Sequence, residues 1–298
     1  YIYNTIRPKH LWTLLAKLLP KRGIWLKLRP LAYKVHPYQW PTIGKNIDHI
    51  AGASLEEVED FFHRFYAPDN AILSISGNIT DEKALELVKK WFGDIPPARY
   101  KRKALPMEPQ QTEERRLVCE HNKVPADAIY KVYHMGDRRS DNFYTCDTIS
   151  DILSNGQSSR LYINLIKNGK LFSEVDAYIT GDMDPGLFIF SGKLSEGVAI
   201  EEAEAAIQNE IDHFIEDPIS ERELQKVINK TEARISYSEI NYQGKSANLA
   251  FFDYLGDVNL INSESTRYAE VSLDSIKQTA RELFSAKNCS TLWYLKDK

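Results

Sequence analysis

Seven histidines are the residues of this chain best suited to metal or acid–base chemistry: His10, His36, His49, His63, His121, His134 and His213. Two imidazoles that grip one metal from a helix stand three or four positions apart, on a shared face. Here the nearest pairs are 13 apart. Cys119, Cys146 and Cys289 form neither a CxxC nor a disulfide framework, so a thiolate zinc site is not expected. His36, in a His-Pro-Tyr turn, and His63, on the polar side of a helix, read as structural. Asp69-Asn70 reads as a turn that opens a strand, with Asn suited to a left-handed backbone. Gly156 with Ser158-Ser159 reads as a helix start and not a phosphate loop, because no GxGxxG or GxxxxGK[ST] occurs. Glu196, Glu201, Glu202 and Glu204 read as the solvated, acidic opening of a helix, favourable against its dipole. No catalytic residue and no metal ligand is therefore assigned, and substrate-binding residues are left open.

The length, 298 residues, suits two domains. No apolar run reaches the 18 or so residues of a spanning helix. Residues 1–47 hold nine Lys/Arg and no Asp or Glu; beyond them 29 basic face 42 acidic residues, a net −13. That acidic remainder argues against nucleic acid as a partner.

Two segments match at a constant offset of 218: Ser54-Leu-Glu-Glu-Val through Asn70, and Ser272-Leu-Asp-Ser-Ile through Asn288. Leu31-Ala-Tyr33 faces Leu249-Ala-Phe251 at the same offset. Ser54 and Glu57 form a capping box, after which Leu55, Val58, Phe61, Phe62 and Phe65 share one helical face. Ala71–Ser76 then alternates as a strand, as does Thr291–Leu295. A period this long signals a duplicated domain and not a solenoid. The second copy starts near Arg116, so the offset puts the start of the first well before Tyr1.

The basic, proline-rich stretch Ile95–Gln111 reads as a connector. The expected organisation is the C-terminal part of a first domain at 1–97, a linker at 98–115, and a complete second domain at 116–298. Within the latter, strands are predicted near 116–121, 128–134, 172–180 and 186–194. Helices are predicted near 141–153, 158–168, 198–216, 220–240, 246–255 and 272–285, before the final strand. Without regular βαβ alternation the class is α+β.

Four ordered motifs carry a family resemblance. They are His36-Pro-Tyr-Gln-Trp-Pro-Thr-Ile-Gly44; Tyr66-Ala-Pro-Asp-Asn-Ala71; Phe92-Gly-Asp-Ile-Pro96; and Gly156-Gln-Ser-Ser-Arg-Leu161. They resemble stretches of the pitrilysin/insulinase zinc peptidases, the mitochondrial-processing-peptidase-like kind, from about residue 31 to the end. The resemblance implies duplicated α+β domains and peptide-bond hydrolysis by a zinc-activated water. It also implies an HxxEH helix with Glu as general base, and a distant Glu as third ligand. This sequence has no HxxEH. The repeat places the third ligand within residues 1–22, which hold no carboxylate. The family's substrate-binding Arg and Tyr positions fall on Ile166 and Ser173.

The expectation is a fragment or non-catalytic chain of a zinc-dependent peptidase, inactive alone. It needs no cofactor of its own, zinc belonging to the family's catalytic domain. Its partners would be the parent enzyme's peptide substrate and, in a homo- or hetero-dimer, an HxxEH-bearing chain. One alternative is a structural subunit forming half of a peptide-enclosing chamber. The other is membrane-surface or acidic-partner binding through the basic, apolar segment 7–34, where Pro20 and Gly23 are expected to interrupt a helix; membrane contact is otherwise not expected. The compartment, cytoplasmic or periplasmic, is left open.

Overall fold

The structure, a computed structural model, describes residues 20–41, 46–121 and 124–297. It divides into two compact units: one gathers residues 1–47, 105–228 and 270–298, the other residues 48–104 and 229–269.

The first unit is built on a five-stranded sheet of order β1-β5-β2-β4-β3. Its strands are β1 (Arg115–His121), β2 (Ala128–His134), β3 (Phe172–Ile179), β4 (Leu187–Leu194) and β5 (Cys289–Lys296). β1 runs parallel to β5; the other pairs are antiparallel. β2 and β4 are largely buried on both faces, the pattern of strands covered twice.

One face carries Tyr133, Phe188 and Phe190, whose rings lie 5.1–5.5 Å from that of Phe284. Over this face pack α5 (Phe143–Ser154), α6 (Ile200–Glu216) and α10 (Leu273–Leu283). The opposite face carries Ala128, Val132, Leu187, Ile189, Leu292 and Tyr294, and is roofed by α1 (Pro20–Ala32) through Ile24, Leu28 and Leu31. Each such side chain, fully buried, contributes about 2 kcal/mol.

α1 is described from Pro20 onward, residues 11–19 lying outside the described residues; the break expected at Gly23 is not seen, and the helix passes through it. A Cβ at Gly23 would come within 3.0 Å of the Tyr294 hydroxyl, so the glycine lets helix and sheet approach. The helix predicted at 158–168 forms from residue 160 on, as a π-helix over Tyr162–Asn168. A helix that the sequence reading omits, α9 (Leu260–Ala269), follows α8 (Tyr242–Leu255). α8 starts earlier than expected because the Asn241 side chain caps the Gly244 N–H at 2.6 Å.

The second unit holds α2 (Ile47–Gly52), α3 (Leu55–Phe65), α4 (Asp81–Phe92), the later part of α7 (Glu221–Ser238), α8 and α9. The Ser54–Glu57 capping box forms as expected, at 2.8 and 3.1 Å. The strand predicted at 71–76 does not: the segment is extended but unpaired, because among the described residues no strand lies beside it. Asn70 sits in a 3₁₀ turn, Pro68–Asn70, and not in a left-handed conformation. Its amide donates to the Phe65 carbonyl at 2.7 Å, while Asp69 accepts N–H bonds from Ala98 and Arg99 at 3.0 and 2.8 Å.

Candidate functional site

The His-Pro-Tyr turn and the end of α1 bring a set of aromatic and polar side chains together. Trp25, Arg29, Tyr33, Tyr38, Trp40 and Asp182 line a cavity of about 280 Å³. His36 is buried beside it. Its Nδ1 accepts the Tyr38 N–H at 3.2 Å. Its Nε2 stands 3.4 Å from Asp184 Oδ2, within ion-pair range but not aligned for a hydrogen bond. The Tyr33 hydroxyl donates to the Pro185 carbonyl at 3.1 Å, and burial pushes its pKa upward.

Behind the turn, Glu108 accepts the backbone N–H groups of Lys34, Val35 and His36 at 2.8, 2.8 and 2.9 Å. Burial works to raise its pKa, but the three N–H bonds prevail and hold it below the usual carboxylate range. His134 Nε2 lies 3.0 Å from the Ala32 carbonyl, which places the proton on Nε2. Burial lowers the pKa of this imidazole. His134 thus ties the α1 end to the sheet.

On the other face, Glu204 gathers Arg116, Lys131 and Trp293. Arg116 is bidentate to it, the Trp293 Nε1–H donates at 2.7 Å, and the Lys131 ammonium lies 3.4 Å away. Gln208 accepts from Lys131 at 3.0 Å. The reading of Glu204 as solvated is corrected: it is 8% exposed. The signal was in the sequence, since Ile200, Ala203, Ile207, Ile211 and Phe214 set an apolar stripe that includes position 204. Glu108 offered no such signal, because its partners lie more than 70 positions away.

Around Gly156–Leu161, Arg160 forms two bonds to Glu223 at 2.9 and 3.2 Å and lies over the Phe214 ring. Lys226 donates to the Ser158 carbonyl and hydroxyl. This motif ties the turn to α6 and α7. Ile166 lies in the π-helix, and the Ser173 hydroxyl donates to the Lys193 carbonyl. Burial raises the Cys146 thiol to about 12 and raises Cys289 as well, so neither is a thiolate nucleophile near neutrality.

Among the described residues no group of three or more His, Cys, Asp or Glu gathers to hold a metal ion. The zinc implied by the family resemblance therefore has no seat among them. The expected position of its third ligand lies mostly in residues 1–19, outside the described residues. No described helix is long and apolar enough to cross a membrane.

A family model described as peptidase M16 inactive domain matches residues 52–231. The chain is 26% identical over 271 residues to a Helicobacter pylori protein named zinc protease PqqE, across 88% of this chain and 59% of that protein. It thus spans under two thirds of this relative's length. Among solved structures, a peptidase M16 inactive domain from Pseudomonas fluorescens superposes with a TM-score of 0.85 at 13% identity, over 97% of this chain and 68% of its own. A chain of complex III2 from Candida albicans does so at 0.79 and 13% identity, over 98% and 72%. At such identities the structural likeness is one of fold.

Proposed function

This chain belongs to the peptidase M16 inactive-domain family, and from that membership we propose that it supplies the non-catalytic part of a zinc-dependent peptidase. The observation that carries this reading is how the buried histidines are engaged. His36 Nδ1 accepts the Tyr38 N–H and its Nε2 lies beside Asp184, while His134 Nε2 donates to the Ala32 carbonyl, so these imidazoles serve the end of α1 and the turn after it. On this reading residues 1–97 continue a first peptidase-like domain, 98–115 link, and 116–298 form the second. The parent or partner protein cleaves peptides with a zinc ion that this chain does not bind. The test is hydrolysis of casein or a quenched peptide by the purified chain, with and without chelator; chelator-sensitive turnover would refute it.

A second reading, supported by the fold shared with a chain of complex III2, is a structural subunit that encloses a peptide chamber with an HxxEH-bearing chain. Co-purification of such a chain would favour it. Surface binding through residues 7–34 has less support. Residues 7–19 lie outside the described residues, and Ile24, Leu28 and Leu31 pack on the sheet, unavailable to a lipid surface.

A further inference from the structure

Two opposite charges line the cavity beside the His-Pro-Tyr turn without meeting. Arg29 and Asp182 are both partly buried there. Elsewhere in the first unit Lys131 meets Glu204 and Arg160 meets Glu223. Among the described residues, neither the Arg29 guanidinium nor the Asp182 carboxylate has a hydrogen bond or an ion pair, with each other or with a third group. The guanidinium lies 5.5 Å from the centroid of the Trp25 ring. Withdrawing a charge from water without a counter-charge costs free energy. Two unmatched charges of opposite sign in one cavity are therefore complementary to a ligand that carries both signs.

The cavity walls are held in place by the protein itself. The Tyr33 and Tyr38 rings meet at 83° with centroids 5.7 Å apart, a right-angled corner. The Tyr33 hydroxyl is tied to the Pro185 carbonyl, and the Tyr38 hydroxyl accepts the Asp184 N–H at 3.4 Å. Asp182 stands in the loop between β3 and β4. Its carbonyl accepts the Arg138 N–H at 2.9 Å, and the Thr180 N–H donates to the Leu187 carbonyl at 2.9 Å across the base of the loop. The Thr180 hydroxyl accepts the Leu187 N–H at 2.9 Å, which leaves its own hydrogen to donate. Aromatic faces attract cations, quaternary ammonium groups included. A guanidinium matches a carboxylate through two parallel N–H bonds. The volume of about 280 Å³ gives room for about nine heavy atoms, at a water's share of roughly 30 Å³ each.

We propose that this cavity binds a small zwitterion, of the class of free amino acids and betaines. The ligand's carboxylate pairs with Arg29. Its ammonium lies in the corner of Tyr33 and Tyr38 and is balanced by Asp182, while Trp40 lines the space for its apolar part. A simple anion would be repelled by Asp182, and a simple cation by Arg29. The proposal stands on the cavity alone, independently of the proposed function.

The test is isothermal titration calorimetry of the 298-residue chain with leucine, glycine betaine, choline and acetate. Expected is saturable binding of leucine or glycine betaine, with choline and acetate each weaker by about tenfold or more, the worth of one hydrogen bond to a charged group. Arg29→Gln and Asp182→Asn should each weaken the zwitterion by about tenfold. Leucine ahead of betaine would show that Asp182 takes N–H donors from the ligand. Betaine ahead of leucine would show that the rings hold the cation. Either order upholds the site. No binding of either zwitterion up to about 10 mM, choline or acetate as tight as the zwitterions, or an affinity unchanged in Arg29→Gln would overturn the proposal. Asp182→Asn should also keep the wild-type urea midpoint, since its charge has no partner among the described residues to lose. A lowered midpoint would show that the charge is matched within the protein, and would overturn the proposal as well.

Discussion

The indole Nε1–H of Trp293 donates to Glu204 Oε2 at 2.7 Å, and this bond joins β5, which lies between β1 and β2, to α6. The same carboxylate is the ionic partner of Lys131, which is 4% exposed on β2. A buried ammonium left without its counter-charge is strongly destabilising, whereas the partly exposed Arg116 adds little through its own ion pair.

Replacing Glu204 with Gln is therefore expected to lower unfolding free energy by about 3 kcal/mol at pH 7, read by urea denaturation. Burial raises the Glu204 pKa, but the Arg116 hydrogen bond, the Lys131 charge and the Trp293 bond outweigh it and leave the folded value lowered. Stability from this carboxylate is thus present above its unfolded value of about 4.3 and is lost as pH falls through the lower, folded one. The gap between wild type and variant should narrow below pH 4; a gap unchanged by pH would contradict the assignment.

His134 titrates with the same sign for a different reason. Burial depresses its folded pKa below 6.5, so the unfolded chain binds the proton more readily and acid destabilises the fold. A His134→Gln variant retains a donor for the Ala32 carbonyl and loses the titration. Between pH 7 and 5 wild-type stability should fall more steeply than the variant's. Parallel profiles would show that His134 is not neutral and buried in solution.

Gly192 faces Phe172 so closely that a Cβ there would meet the ring at 2.4 Å. Gly192→Ala should cost about 2–3 kcal/mol by overpacking. Phe172→Leu in the same chain should recover part of that loss, giving a favourable coupling of about 1 kcal/mol. Additive losses would mean that the strands separate to accept the methyl group.

Removing the Glu108 carboxylate should free the three amides that it caps. Glu108→Ala is expected to lose about 2 kcal/mol and to speed exchange at residues 34–36, while the amides of β2 stay protected. Unchanged exchange at 34–36 would show that the carboxylate does not hold this turn.

Much of the fold could be read from local pattern. Alternation and capping located β2 at its observed bounds and α10 to within two residues at each end, because those signals lie inside the elements themselves. The strand expected at 71–76 had the right alternation, but a strand exists only with a neighbour, and neighbours are not written in its own sequence. α1 was misjudged at Gly23 for a related reason. A glycine that weakens an isolated helix is useful where Tyr294 approaches it. Glu204 was legible in the helical stripe and was outweighed by its acidic neighbours. The absence of HxxEH was legible outright, whereas the bond of His134 to Ala32 and the approach of His36 to Asp184 depend on residues far away in the chain.

The central claim, that zinc binding lies outside this chain, is tested most directly by the metal content of the purified 298 residues. The chain would be dialysed against metal-free buffer and assayed by inductively coupled plasma mass spectrometry. The account predicts zinc near zero per chain, with no change in His134→Gln. About one zinc per chain, retained through dialysis, would mean that these residues assemble a metal site and would contradict the account.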